Sequence, residues 1–254
     1  MASLIVRRDE HRLTLSLNRP EAANTLDLEL AQALFAAITA PETSAARVVV
    51  IRAEGTVFCG GGDVNAMAAA ESASQYLSDL AGVFHEFLGA LRSLGAPVIA
   101  SVRGAAAGAG LGLCLASDIV VATDRSRFLS AFASVGLSTD SGVSYHLPRV
   151  VGLQRALDLC LTGRVLDART AQDWGIVSEV VTDDELESAT DALAARLAMV
   201  PGGALAQTKR LLRAGSSDFT EHLADEARTL AAGAQHPDVL AVINEFAARS
   251  RQKQ

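Results

Sequence analysis

Two apolar, largely β-branched runs limit what this chain can fold into. Val48-Val49-Val50-Ile51 lies within Arg47–Arg52, and Val98-Ile99-Ala100-Ser101-Val102 follows later. Neither shows the apolar–polar alternation of a half-exposed strand, so each reads as a strand buried on both faces. Each runs on into small residues, Gly55–Asp63 after the first and Gly104–Gly112 after the second. Further strands are expected at Leu4–Arg8, Arg12–Leu17, Ile119–Ala122, Phe128–Ser130 and Val177–Val181. Helices are expected from an Asp27 cap to about Ala40, at Ser74–Leu94 before Gly95-Ala96-Pro97, at Gly108–Ala116, and repeatedly from Ser141 onward. Strands alternating with helices, then helices alone, describe an α/β core with a helical C-terminal part.

Composition narrows the function classes. Half of the 254 residues (50%) are hydrophobic but only 4% aromatic, so the core is expected from Ala, Val and Leu. Such a chain is not disordered and offers little aromatic surface for stacking on bases. The 29 acidic and 22 basic side chains leave a net charge of −7, which again argues against a nucleic-acid partner. Cys59, Cys114 and Cys160 are widely spaced without metal-ligand pairing, as expected of reduced thiols in a cytosolic protein. Arg7-Arg8-Asp9-Glu10 stands where a secretion signal needs its apolar run. The longest uncharged apolar stretch, Gly104–Ala116, has 13 residues, against ~20 for a membrane span. The expectation is a cytoplasmic protein with no membrane partner and no metal.

The glycine turns carry the chemistry. In Phe58-Cys59-Gly60-Gly61-Gly62-Asp63, peptide N–H groups are left uncovered by side chains, and Asp63 can cap a helix over Val64–Ala69. Gly104–Gly112 lies between a strand and a helix, so its N–H groups sit at a positive helix end. Two such groups converging on one point form an oxyanion hole, worth several kcal/mol where negative charge builds on a carbonyl oxygen. The alternative is that the glycines serve only tight turns and packing. Gly108-Ala109-Gly110-Leu111-Gly112 lacks the dinucleotide spacing, and Gly-Lys-Ser/Thr occurs nowhere. No Gly-x-Ser-x-Gly elbow is present. The residues alone point to an anion or oxyanion site and to no particular reaction.

The ordered set of segments resembles the crotonase superfamily of enoyl-CoA hydratases and isomerases. The matching pieces are Leu17–Leu26, Phe58–Asp63, Ala96–Gly104, Gly108–Asp118, Val135-Gly136-Leu137, Leu147–Gly152, Leu161-Thr162-Gly163 and Ala171–Val181, with Pro201 and Lys209 beyond. The resemblance implies an α/β crotonase-like spiral of ββα turns over residues 1–195. Residues 196–254 would be a helical region for trimerisation and closure of the acyl-CoA site. It implies a homotrimer or dimer of trimers, a coenzyme A thioester as substrate and no cofactor. The oxyanion donors would be the N–H groups of Gly62 and Ala109. Glu21, Ala22, Ala23, Gly60, Asp63, Val64 and Lys209 would be the CoA contacts, with a solvated helix lysine as the alternative reading of Lys209.

The same resemblance separates possible reactions. The two glutamates of a hydratase would fall at positions occupied here by Gly112 and Phe132, so ordinary hydration is not expected. These two residues and Leu137 would instead line the acyl pocket. Gly136-Leu137-Ser138-Thr139-Asp140-Ser141-Gly142 is similar to a stretch of phenylacetate-pathway isomerases whose Asp shuttles a proton, with Thr139 in place of the usual Pro. Asp140 would be the base, its pKa raised by apolar neighbours Phe132, Val135 and Leu137. Its alternative role is a helix N-cap, with Ser141 as rival. His85, beside Glu86, reads either as a partly exposed helix residue or as a site residue. In the latter case the chain is similar to 4-halobenzoyl-CoA dehalogenases, with Asp140 as nucleophile and His85 activating water. An enoyl-CoA isomerase is the first expectation. A dehalogenase-like or thioester-hydrolysing enzyme and a non-catalytic acyl-CoA binder are the alternatives.

Overall fold

The computed structural model describes residues 2–9, 11–201, 203–215 and 218–251. Strands β1 (Leu4–Arg8) and β2 (Arg12–Leu17) form the expected antiparallel hairpin, with Leu4 opposite Leu17. Helix α1 (Leu28–Thr39) starts at Asp27, whose carboxylate accepts the Leu30 amide. Strand β3 (Val48–Ala53) then lies parallel to β2. Two helices follow, α2 (Val64–Ala69) and the long α3 (Ala73–Ser93), before β4 (Val98–Val102). Short strand β5 (Ala105–Ala107) leads into α4 (Ala109–Ala116), and β6 (Ile119–Thr123) and β7 (Arg127–Leu129) come next.

Helices α5 (Val143–Val151) and α6 (Leu153–Thr162) precede β8 (Leu166–Asp167), α7 (Ala168–Asp173) and β9 (Glu179–Val181). The chain closes with α8 (Leu186–Ala198), α9 (Ala204–Ala214), α10 (Phe219–Gly233) and α11 (Pro237–Arg251). The main sheet has the order β1-β2-β3-β4-β6-β9, and every pairing after the first hairpin is parallel. A second sheet has the order β5-β7-β8.

The β-branched runs are covered on both faces, as their pattern requires. Val49 and Ile51 enter the main core with Leu30 and Leu34 of α1 and Phe84 and Phe87 of α3. Val48, Val50 and Ile99 enter a smaller cluster with Leu193, Ala194 and Ala198 of α8. Each such fully buried aliphatic side chain contributes about 1.5–3 kcal/mol. The one polar interruption, Ser101, hydrogen-bonds Thr190 of α8 at 3.0 Å, so neither hydroxyl is buried without a partner. Helix α8 also runs through the 195/196 division drawn from the sequence, keeping Ala198 against the sheet.

Three strands depart from the sequence expectation, the first being Leu166–Asp167, which was not expected and forms by pairing with β7. Ala105–Ala107 was expected to be part of a turn; it is a strand because it pairs with β7, and Ala106 also bridges to Cys59. The last strand begins at Glu179 rather than Val177, because the Ile176 and Val177 amides turn back to the Ala171 carbonyl. The helical C-terminal region is tethered by one carboxylate, Asp118. It accepts from Lys209 and Arg213 of α9, each at 2.7 Å. Leu212, Phe219, Leu230 and Phe246 of this region are exposed in the single chain. Among the described residues no helix is long and apolar enough to cross a membrane.

Candidate active site

The first glycine turn is stitched between two segments. The Gly60 amide donates to Ala23 O at 2.9 Å, the Leu26 amide to Gly61 O at 2.7 Å and the Asp63 amide to Leu26 O at 2.9 Å. On its other side the Cys59 amide donates to Ala105 O at 3.0 Å, and the Ala107 amide donates to Cys59 O at 2.9 Å. The Gly62 amide points into none of these bonds and has no acceptor among the described residues. Asp63 caps α2 as expected, accepting from the Asn65 and Ala66 amides at 3.1 Å, and Arg19 pairs with it at 2.9 Å. Burial opposes ionisation of this carboxyl, but the Ala66 amide and the Arg19 guanidinium outweigh it and hold it below the usual carboxylate range.

The second turn ends at Gly108 (φ 52°, ψ −113°), a backbone conformation that favours glycine, and its amide donates to Leu129 O at 3.1 Å. Ala109 is the first residue of α4, so its N–H has no partner within the helix and none elsewhere among the described residues. Gly61 and Gly108 bring the two turns into contact: a Cβ on Gly108 would stand 3.5 Å from the Gly61 Cα. Gly62 and Ala109 therefore line one cavity of about 370 Å³. Its walls are largely apolar, with Leu77, Leu80, Ala81 and Phe84 of α3 on one side and Phe132, Val135 and Leu137 on another.

Asp140 is the only ionisable side chain among the described residues lining this cavity. Its Oδ1 lies 2.7 Å from Nε2 of His85, on α3 beside the cavity-lining Phe84. The Ser141 hydroxyl donates to Asp140 Oδ2 at 3.4 Å. Neither side chain caps α5. Gly142 occupies the N-cap with φ 73°, and the Asp140 carbonyl, rather than its carboxylate, accepts from the Val143 amide at 3.0 Å. The apolar neighbours cover the pair only in part in the single chain: the Asp140 side chain is 41% exposed and that of His85 50%.

Of the other expected site residues, Gly60, Val64, Phe132 and Leu137 line the cavity. Glu21, Ala22 and Ala23 flank the first turn without lining it, although Ala23 reaches it through the Gly60 amide. Gly112 does not line the cavity. It is buried against Ser141, which leaves no room for a side chain. Lys209 is neither a cavity residue nor a solvated lysine. Its side chain is only 9% exposed, held by Asp118 and by Ala96 O at 3.0 Å. Burial pulls its ammonium below the usual lysine range, against the opposing pull of Asp118.

Ser141, Leu26 and Met67 line the cavity and had no signal in the sequence as site residues. Cys59 is buried, which pushes its thiol up to about 11 and makes it a poor nucleophile. No cluster of His, Cys, Asp and Glu among the described residues could hold a metal.

Comparison with known proteins matches the sequence and the fold to one family. The defining pattern of the enoyl-CoA hydratase/isomerase family matches residues 10–251. The chain is 37% identical to the trans-2-decenoyl-[acyl-carrier-protein] isomerase of Streptococcus mutans, over 72% of this chain and 71% of that one. It is 32% identical to 4-chlorobenzoyl coenzyme A dehalogenase-2 of an Arthrobacter species, over 88% and 83%. An enoyl-CoA hydratase of Mycobacterium smegmatis superimposes with a TM-score of 0.90 at 33% identity, covering 97% of this chain and 96% of that one. The chain belongs to the enoyl-CoA hydratase/isomerase family.

Proposed function

We propose that this protein is an acyl-CoA double-bond isomerase in which Asp140 takes a proton from one carbon of the acyl chain and delivers a proton to another. The observation that carries this reading is the lone carboxylate: Asp140 shares the cavity with the free amides of Gly62 and Ala109, and no second ionisable group among the described residues lines it. One base suffices for isomerisation: the carboxylate that takes a proton at one carbon can give one back at the other, and its partly exposed carboxylic acid trades protons with solvent in between. Asp140 removes a proton from the acyl chain, and the electrons move into the thioester carbonyl. The dienolate oxygen is held by the two amides, and the Asp140 carboxylic acid protonates the other end of the dienolate. The hydrogen bond from His85 holds the carboxylate in place.

CoA thioesters are the substrate class that the family supports. The exposed apolar side chains of α9–α11 fit assembly into a trimer or dimer of trimers. Asp140→Asn should abolish solvent-deuterium incorporation into a 3-enoyl-CoA while thioester binding persists. Persistent exchange would remove Asp140 as the base.

The His85–Asp140 contact favours one further reading. In it the Asp140 carboxylate attacks an aryl carbon bearing a halide, the halide leaves with its electron pair, and water activated by His85 hydrolyses the aryl ester. Mass-spectrometric capture of an ester at Asp140 with a 4-halobenzoyl-CoA supports this course. Halide release without an ester, or no reaction, excludes it.

A further inference from the structure

Helix α4 carries two glycines, Gly110 and Gly112, and each receives the backbone of a different loop. A Cβ on Gly110 would stand 2.6 Å from the Cys59 carbonyl oxygen, in the turn that carries Gly62. A Cβ on Gly112 would stand 2.4 Å from the Ser141 carbonyl oxygen and 2.7 Å from the Ser141 Cβ. Real Cβ atoms essentially never approach other atoms under 3.0 Å. The atoms met at Gly112 are backbone and Cβ, so no change of rotamer relieves the contact. The whole Ser141 turn has to move.

That turn has little freedom to move and keep its shape. Ser141 is 2% exposed and has a φ of 58°, a conformation that side chains other than glycine rarely adopt. Gly142 follows at φ 73°, and the Val143 amide fixes the Asp140 carbonyl from the α5 side. The backbone of Asp140 is thus held between the notch at Gly112 and the first turn of α5. Its side chain reaches His85 from that position.

We infer that Gly112 is a positioning residue for the His85–Asp140 pair: the absent side chain at 112 admits the Ser141 turn, which sets the Asp140 carboxylate against His85. A side chain at 112 and a carboxylate in this place exclude one another. The same short helix supplies the Ala109 amide, so α4 fixes the oxyanion donor and the base turn relative to each other. The catalytic consequence rests on the reading of Asp140 as the proton relay. The placement of Asp140 by Gly112 does not.

The test compares the full-length wild type with Gly112→Ala, Asp140→Asn and the Gly112→Ala/Ser141→Gly pair. It reads the ring nitrogen chemical shifts of His85 in 15N-labelled protein and solvent-deuterium incorporation into a 3-enoyl-CoA. Gly112→Ala should move the His85 shifts to those of Asp140→Asn and slow exchange about 100-fold, the scale of a small misplacement of a reacting group. It should leave binding of an unreactive acyl-CoA thioether within about threefold, because binding that does not change in the transition state is separable from turnover. The pair removes the Ser141 Cβ and supplies a residue at ease with positive φ, whose carbonyl can turn away from the new side chain, so the shifts should return part of the way toward wild type. Wild-type shifts in Gly112→Ala, or no return in the pair, would overturn the inference.

The His85 shifts depend on no reaction. A wild type silent in the exchange assay therefore counts against the isomerase reading alone. If Gly112→Ala does not fold, Ser141→Val decides, because it branches the Cβ pressed into the notch and is strained at positive φ. It should produce the same displacement, and unchanged shifts would overturn the inference.

Discussion

Nε2 of His85, on the third helix, lies 2.7 Å from Oδ1 of Asp140, across 55 residues of sequence. The pair sits at the edge of the cavity that holds the free Gly62 and Ala109 amides. With Gly142 at the N-cap of α5, the Asp140 side chain is turned to His85 and does not start the helix. This contact makes His85 the natural target of the first prediction.

His85→Gln should separate the two readings of the site. If Asp140 relays a proton, the variant keeps isomerisation at a level reduced about 10- to 100-fold, because orientation is weakened and the base remains. If Asp140 is a nucleophile, water activation is lost and an ester accumulates at Asp140, visible as a mass increment on the intact protein.

Gly110→Ala tests the other notch of α4. The new Cβ presses on the Cys59 carbonyl, which must retreat with the turn that carries Gly62. A stability loss of about 1–3 kcal/mol is expected, as for other overpacked sites, with slowed exchange and unchanged His85 ring shifts. Shifts that move as they do in Gly112→Ala would show that the two notches are not separate.

Asp63→Asn should make stability less dependent on acid. The folded carboxyl lies below its ordinary range, so its ionised form stabilises the fold above the unfolded pKa of ~4. That contribution is lost as pH falls through the lower folded value. The variant should be up to about 1 kcal/mol less stable at pH 7, because Asn caps a helix as well as Asp does but cannot pair with the Arg19 guanidinium. The gap to wild type should close on acidification, as read by urea unfolding at a series of pH values.

Asp118→Ala removes the shared partner of Lys209 and Arg213. Leaving a largely buried ammonium unpaired should cost about 3 kcal/mol in chemical unfolding. Adding Lys209→Met should recover part of that loss, since the methionine fills a similar volume without a charge. No recovery would place the cost elsewhere in the cluster.

The buried strands were legible because Val48–Ile51 and Val98–Val102 combine high β propensity with no exposed face. Ala105–Ala107 was not legible: alanine carries no strand preference, and its pairing comes from β7 and Cys59. The glycine turns announced uncovered amides, but only the tertiary bridges determine which amide stays free. Asp140 could be singled out as the remaining carboxylate, but His85 only through the resemblance to dehalogenases, because spacing along the chain says nothing about contacts between a helix and a distant loop. Lys209 misled for a related reason. Its position on a polar-looking helix hides that Asp118 draws it inward. Gly112 read as the place of a missing carboxylate, whereas the structure gives it a positive role: it is the space into which Ser141 fits.

The most direct test of the account is solvent-deuterium incorporation into a 3-enoyl-CoA by wild type and Asp140→Asn, with binding of both measured on an unreactive acyl-CoA thioether. The account predicts exchange in the wild type, none above background in Asp140→Asn, and similar binding by the two proteins. Exchange that survives in Asp140→Asn would contradict it.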